Sequence, residues 1–491
     1  MTPDSVPEQF SDPTPTPPLT QPLEHSEKFR RQLRREAETW WQAGWIDAAL
    51  YEKLADRYQF RRLEQESSHR FIAILMGLGS ILLGLAAITF VAANWQDWSR
   101  LMKLLLLLGL FLGVNVAGFY LWRRPADLKG QQRLGQGLLL LGGLLFGANL
   151  ALLSQMFHQS GNLYELFLVW GLGVILMAYS LRLVSLGVLS WILIAIGYWM
   201  SIFDRWSADP TSLWQLMIFH LPLVASGLFI PLAYRCRSRV LFGLASLLIT
   251  GSLSGNLLSW QSELPLSAGW LRVMAIALPP ALLWSYSSRI WRSSRSVDPF
   301  QSIARSLSYW WLGIPLFVLS FGGFWHSPSS GSIGSLDHWH PLLDGIVLTI
   351  ITGLGWLQLR HDWQGWRQTC ALHSGTIALL IGLMSLLLVL HWDLIPDGIG
   401  SLGTILFNFM LFLLAGGLIR DGLALSQRGR FWGGMTLLVL GILSRMLEYN
   451  TGLILKSIVF ALCGMGVIAA GLWFERHAKP DRSQLSSPQQ T

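Results

Sequence analysis

The stretch Phe71–Trp95 (FIAILMGLGSILLGLAAITFVAANW) holds no charged residue and is rich in Leu, Ile, Ala and Gly. At about 1.5 Å of rise per residue, about 20 such residues cross the roughly 30 Å hydrocarbon core of a bilayer. A helix of this length in a water-soluble core carries a polar face, and this one shows none before Asn94. It is read as the first membrane span. It fixes the side of the membrane on which every later loop lies.

The rest of the chain fits that class. Of 491 residues, 52% are hydrophobic and 13% charged, against about 25% charged in ordinary soluble domains. The 25 Trp suit a chain with many membrane–water interfaces. Net charge is +8, yet residues 1–70 hold 10 Lys/Arg against 12 Asp/Glu. That slightly acidic segment excludes a nucleic-acid-binding head. Cys236, Cys370 and Cys463 sit far apart with no CxxC, so neither a disulfide framework nor a thiolate metal site is expected, and the three read as packing cysteines.

Residues 1–25 carry seven Pro and no signal-peptide pattern, and read as a disordered tail. Residues 26–70 read as a short cytoplasmic helical hairpin. Its first helix is Ser26–Ala43, stopped by Gly44. Asp47 caps a second helix through about Arg62, with Trp40, Trp41, Trp45 and Tyr58 as an aromatic seam. The hairpin serves either as a stalk on the membrane surface or as a docking module for a protein partner. Residues 71–475 form the transmembrane domain, and 476–491 a second disordered cytoplasmic tail.

The expected fold class is all-α, a polytopic transmembrane helix bundle of about fourteen spans. They lie near 71–94, 101–122, 134–153, 163–181, 183–203, 213–234, 240–259, 270–287, 307–325, 342–359, 371–391, 402–419, 431–447 and 453–474. With residues 1–70 inside and sides alternating, 30 of 36 Lys/Arg fall on the cytoplasmic side. Only Arg100, Lys103, Arg205, Arg272, Arg445 and Lys456 fall outside. This asymmetry is what the positive-inside rule demands, and it places both termini in the cytoplasm. The pairs Gly109/Gly113, Gly143/Gly147 and Gly251/Gly255 point to close helix packing and to self-association. Membrane lipids are the other expected partner.

No Walker A, HExxH or EF-hand pattern occurs. The GIGSLG at Gly398–Gly403 precedes an apolar span and reads as a loop and span start. His326, His338, His340 and Asp337 in one outer loop read as solvated residues, with metal binding as the alternative. No cofactor, metal or catalytic constellation is expected. Polar residues gather at the outer span ends: Asn94, Gln155, His158, Glu165, Arg445, Glu448 and Lys456. Arg445 and Glu448 are three apart on one helix face and can pair, and Lys456 lies across a short turn. One reading is a structural ion network pinning the last hairpin. The other is an outward-facing pocket for a substrate or lipid headgroup. His220, His373 and His391, scattered in other spans, read as hydrogen-bonded packing histidines, with a proton relay as the alternative.

Three stretches carry a family resemblance: Trp40–Tyr58 (WWQAGWIDAALYEKLADRY), the span ending Ala92–Trp95 (AANW), and Ser154–Trp170 (SQMFHQSGNLYELFLVW). Together they resemble the bacterial membrane family catalogued as domain of unknown function 2157, over roughly residues 35–200. The closing segment Ser444–Arg476 is similar to the terminal hairpin of related multi-pass proteins, with Arg445, Lys456 and Glu475 at the matching positions. The resemblance implies a multi-pass protein of the bacterial inner membrane and supplies no activity.

Three functions fit these features. A transport-like or lipid-handling bundle uses the outer polar cluster. A non-catalytic scaffold or assembly factor docks partners through the N-terminal hairpin. An intramembrane enzyme on lipid-linked substrates would draw on His158, Glu165 and Glu448. A charge swap at Arg445 and Glu448 is expected to rescue a merely structural pair.

Overall fold

Inside a bilayer no water is present to take backbone hydrogen bonds, so an apolar segment must close them within itself, and a helix does. The computed structural model describes residues 27–58, 82, 89, 93, 97–124, 129–157, 161–203, 212–259, 269–287, 300–326, 340–362, 368–394, 400–425, 427–449 and 452–477. Among these residues there are sixteen α-helices, one 3-10 turn, one π-helical turn and no strand. The chain divides into two compact units, Met1–Lys103 and Leu104–Thr491.

In the first unit, α1 (Glu27–Gln42) and α2 (Ala48–Arg57) pack on one another. Ala37 is the buried centre, surrounded by Leu33, Trp40, Tyr51, Ala55 and Tyr58. Gly44 adopts a left-handed φ of 73°. Its amide donates to Trp41 O (3.1 Å) and that of Trp45 to Trp40 O (2.9 Å), which closes the end of α1. Asp47 accepts from the Leu50 amide at 2.9 Å and starts α2. Trp41 stacks on Tyr51. Trp45 departs from the expected seam: it is 77% exposed, because it follows the reversal at Gly44 and leaves the packed face. The 1–25 tail and residues 59–70 lie outside the described residues.

The second unit begins at Leu104 within α3 (Arg100–Trp122) and runs through α4 (Lys129–Met156), α5 (Leu163–Leu181), α6 (Val184–Phe203), α7 (Leu213–Phe219), α8 (Leu221–Arg235), α9 (Arg239–Ser259) and α10 (Gly269–Ser285). It continues with α11 (Gln301–Leu319), the 3-10 turn Gly322–His326, α12 (His340–Asp362), α13 (Gln368–Val389) and the π turn Leu390–Leu394. It closes with α14 (Gly400–Ala424), α15 (Arg428–Glu448) and α16 (Leu453–His477). Ten of these helices are long and apolar enough to cross a membrane, or eleven if the bent pair α7–α8 counts as one span.

The expected fourteen spans therefore become ten or eleven among the described residues. The first, 71–94, lies outside them apart from three positions. α10 is short at 17 residues. α11 begins earlier than expected, with the polar run Gln301–Ser308, and ends before a 3-10 turn instead of running to 325. The segment 213–234 is two helices bent by 77°.

Two large apolar cores form among the described residues, with a smaller one around Phe431 and Met435. One gathers Tyr164, Leu168, Tyr198, Phe229 and Phe242 from α5, α6, α8 and α9. The other gathers Leu312, Leu316, Met384, Phe407 and Leu411 from α11, α13 and α14. α9 is the most buried of the ten candidate spans, and it buries Thr250, Ser252, Ser254 and Asn256. Two of these answer prolines. Pro279 in α10 has no amide to give Ala275 O, and Ser254 Oγ donates there at 2.7 Å. Pro222 in the first turn of α8 cannot reach back to Ile218 O. Asn256 Nδ2 donates to that oxygen at 3.1 Å and to Phe219 O at 2.9 Å.

Close helix approach rests on particular glycines. Gly147 leaves room for the Trp170 ring and Gly255 for the Tyr198 hydroxyl, while Gly109 and Gly113 face open space. On α15, a Cβ at Gly434 would lie 2.8 Å from both Ala415 O and Ile419 N of α14, whereas one at Gly433 would meet nothing within 4 Å. Gly434→Ala is expected to destabilise the bundle by about 1–3 kcal/mol, the usual cost of forcing packed backbones apart. Gly433→Ala is expected to leave the thermal midpoint in detergent unchanged. Equal midpoints for the two variants would refute the close α14–α15 contact.

Candidate functional site

Of the seven polar residues singled out from sequence, Asn94 and His158 lie outside the described residues. Gln155 is exposed at the end of α4. Glu165 sits in the first turn of α5, 3.5 Å from Asn162 Nδ2. Neither joins the group formed by Arg445 and Glu448, which the structure does bring together as an ion pair. Lys456 is half-buried at the start of α16, and its side chain makes no contact with that pair among the described residues.

The partners of Arg445 come from elsewhere. Its Nη1 donates to Ser320 O at 2.5 Å, its Nη2 to Ser320 Oγ at 3.2 Å, and its guanidinium lies 4.4 Å from the centre of the Phe321 ring. Glu448 accepts from the Gly322 amide at 2.6 Å. Asn408 Nδ2 on α14 also donates to Ser320 O, at 3.0 Å. Ser320 closes the C-terminus of α11, where carbonyls lack intrahelical donors and the helix dipole favours a cation. Gly322 opens the 3-10 turn, where an amide is left over and favours an anion. The pair thus matches its charges to two chain ends. Arg445 is only 9% exposed, so this is a clasp of α15 onto α11 and α14. It does not pin the last hairpin, as the sequence suggested, because α16 supplies none of its partners.

A second cluster forms at the α7–α8 break. His220, between the two helices, places Nδ1 2.7 Å from Asp344 Oδ1 on α12. Asp344 has its side chain 1% exposed, and His220 23%. Around them, Tyr198 OH on α6 lies 3.0 Å from Asn256 Oδ1 and donates to Ser252 O at 3.0 Å. Ser201 Oγ lies 3.4 Å from Gln215 Oε1 on α7. Four helices, α6, α7, α9 and α12, therefore send polar groups toward one break in an otherwise apolar core. A buried carboxylate within a span is costly unless paired. The imidazole provides the partner, while Asn256 holds the carbonyls that the break frees.

At the opposite helix ends, His373 Nδ1 on α13 lies 3.2 Å from Asp421 Oδ2 on α14. His391, 7% exposed, meets Trp325 edge-on at 4.7 Å between ring centres. His391 thus packs against an aromatic ring, while His220 and His373 each face a carboxylate. Sequence reasoning missed Asp344, Asn256, Tyr198, Ser320 and Asn408. The visible signals were His220–Leu221–Pro222 inside a span and the small-polar run Thr250–Asn256. His338 and Asp337 lie outside the described residues, as do the side chains of His326 and His340. Among the described residues no three His, Cys, Asp or Glu are placed to hold a metal.

Residues 38–187 match the model of a family described as "Predicted membrane protein (DUF2157)", the family that the sequence resembles. No curated protein and no solved structure matches the chain. The chain is a membrane protein with many apolar helices. His220, Asp344, Arg445 and Glu448 lie beyond the matched residues.

Arg445→Ala removes the cation from the half-buried Glu448 carboxylate and leaves the Ser320 carbonyl to Asn408 alone, and is expected to cost about 3–5 kcal/mol. The swap Arg445→Glu with Glu448→Arg is not expected to rescue it, contrary to the sequence-based expectation. It would set a carboxylate against the Ser320 carbonyl oxygen and a guanidinium against the Gly322 amide. Thermal midpoints of the purified single and double variants check this, and recovery in the double variant would show that the backbone partners are dispensable.

Proposed function

We propose that this chain is a transport-like bundle whose polar site is the helix break at His220, taking a polar solute or a lipid headgroup against Asp344. The observation that carries this reading is the 77° bend between α7 and α8 with a carboxylate 1% exposed beside it. Discontinuous membrane helices with buried ionisable groups at the break are the usual construction of a transporter's binding site. His220 lies eight residues past Ser212, which caps α7, and fifteen before the end of α8 at Arg235, so the break falls near the start of the expected span 213–234. The Arg445 clasp is a fixed support in this reading, since both charges already have partners at Ser320 and Gly322.

The lysine and arginine asymmetry supports a bacterial inner-membrane protein of fourteen spans with both termini cytoplasmic, which puts the break toward the outer face. An epitope tag after Ser329 is then expected to be reachable from outside intact spheroplasts. Access only after permeabilisation would reverse the assigned sides.

In a variant with Cys236, Cys370 and Cys463 replaced by Ala, a cysteine at Gln215 is expected to react with a small membrane-impermeant thiol reagent in intact spheroplasts. Asp344→Asn, which keeps the shape and removes the charge, is expected to preserve folding and change that rate severalfold. Reaction only after detergent solubilisation would make the break a sealed packing site. A scaffold reading has its own support in the exposed apolar surface of Trp41, Trp45 (77%) and Leu50 on the N-terminal helices.

A further inference from the structure

At the helix ends opposite the Arg445 clasp, α11 and α15 separate along a groove of about 400 Å³. Its walls are Trp310, Ile314 and Phe317 from α11 and Gly433, Leu437 and Leu440 from α15; its mouth is Ser306, Gln427 and Arg430. Trp310 and Ile314 are exposed at 61% and 57%. In a membrane such a surface faces lipid.

Three features define an occupant. The first is length. From Arg430 to Leu440 is ten residues, about 15 Å of helix, or half of the roughly 30 Å hydrocarbon core. The groove thus reaches from headgroup level to the bilayer midplane, the reach of one acyl chain of one leaflet. The second is charge. Arg430 stands at the mouth, Arg305, Arg420 and Arg428 lie near its lining residues in the sequence, and Asp421 is the one carboxylate in 300–320 and 420–431. That carboxylate faces His373 instead, at 3.2 Å. The third is the anchor at the entrance: the Arg430 guanidinium lies 5.9 Å from the centre of the Tyr309 ring. It is thereby held at the top of an apolar slot.

We propose that this groove is a binding site for an anionic glycerophospholipid, with one acyl chain between α11 and α15 and its phosphodiester at Arg430. With residues 1–70 in the cytoplasm, as the lysine and arginine asymmetry supports, this lipid belongs to the cytoplasmic leaflet. Arginine near the headgroup layer attracts anionic lipid, and the groove converts that general attraction into a site. Neither the break at His220 nor the fate of any solute there enters this assignment.

The test uses the full-length protein purified in detergent, with dioleoylphosphatidylglycerol and dioleoylphosphatidylcholine as probes and the thermal midpoint as readout. Phosphatidylglycerol is expected to raise the midpoint at concentrations where phosphatidylcholine does not. Arg430→Gln is expected to weaken phosphatidylglycerol binding about fivefold and leave the lipid-free midpoint unchanged. Gly433→Leu puts a side chain into open space and is expected to abolish the lipid-dependent rise. Equal effects of the two lipids, or an unaltered response in Arg430→Gln, overturn the proposal. So does a full response to glycerol 3-phosphate alone, which makes the ligand a free anion. Cross-linking of two copies through cysteines at Trp310 and Leu440, insensitive to added lipid, assigns the groove to a second copy of the chain and overturns it as well.

Discussion

A carbonyl oxygen without a donor is expensive in hydrocarbon, and this bundle contains several prolines that create such oxygens. Pro222 and Pro279 each withhold an amide from the residue four positions earlier. In water a solvent molecule would fill the gap. Here α9 fills it, with Asn256 donating to Ile218 O and Ser254 to Ala275 O. Such interior donors are what make helix breaks tolerable within a membrane domain. The break at His220, the burial of Asp344 and the polar face of α9 are therefore one arrangement. Asn256 binds the carbonyls at the break and Tyr198 together, and His220 extends the set to α12.

The charged groups obey the same rule in another form. The Arg445–Glu448 pair does not stand alone in apolar surroundings. It borrows the unsatisfied carbonyl at the end of α11 and the free amide at the start of the 3-10 turn. Buried pairs are weak sources of net stability because desolvation offsets their attraction. Their value here is positional. The clasp ties the ends of α11 and α15 at one face, and toward the other face the Arg430 guanidinium lies over the Tyr309 ring at the mouth of the groove.

Helices were legible in the sequence wherever a long apolar run has sharp polar ends. The interval 163–181 is reproduced residue for residue by α5, and α16 begins at Leu453, where its span was expected. The bend was not legible, because hydropathy averages over the window that contains it; Pro222 was the local mark of it. Partner identity was not legible either. Ser320 lies 125 residues from Arg445, and Asp344 lies 124 from His220. No periodicity along one strand of text joins positions so distant. Arg445 and Glu448 were found as a pair because three-residue spacing is local physics. Their expected association with Lys456 was drawn from nearness in sequence, which a fold does not respect.

Ser254 and Asn256 are two residues apart on one helix, so at about 100° per residue they point to nearly opposite sides. One reaches α10 and the other reaches the α7–α8 corner. A sideways displacement of α9 that shortens one of these bonds lengthens the other. The two proline-interrupted helices thus sit on the arms of a balance whose beam is α9, and a ligand that pulled on the corner would be felt at α10 without touching it.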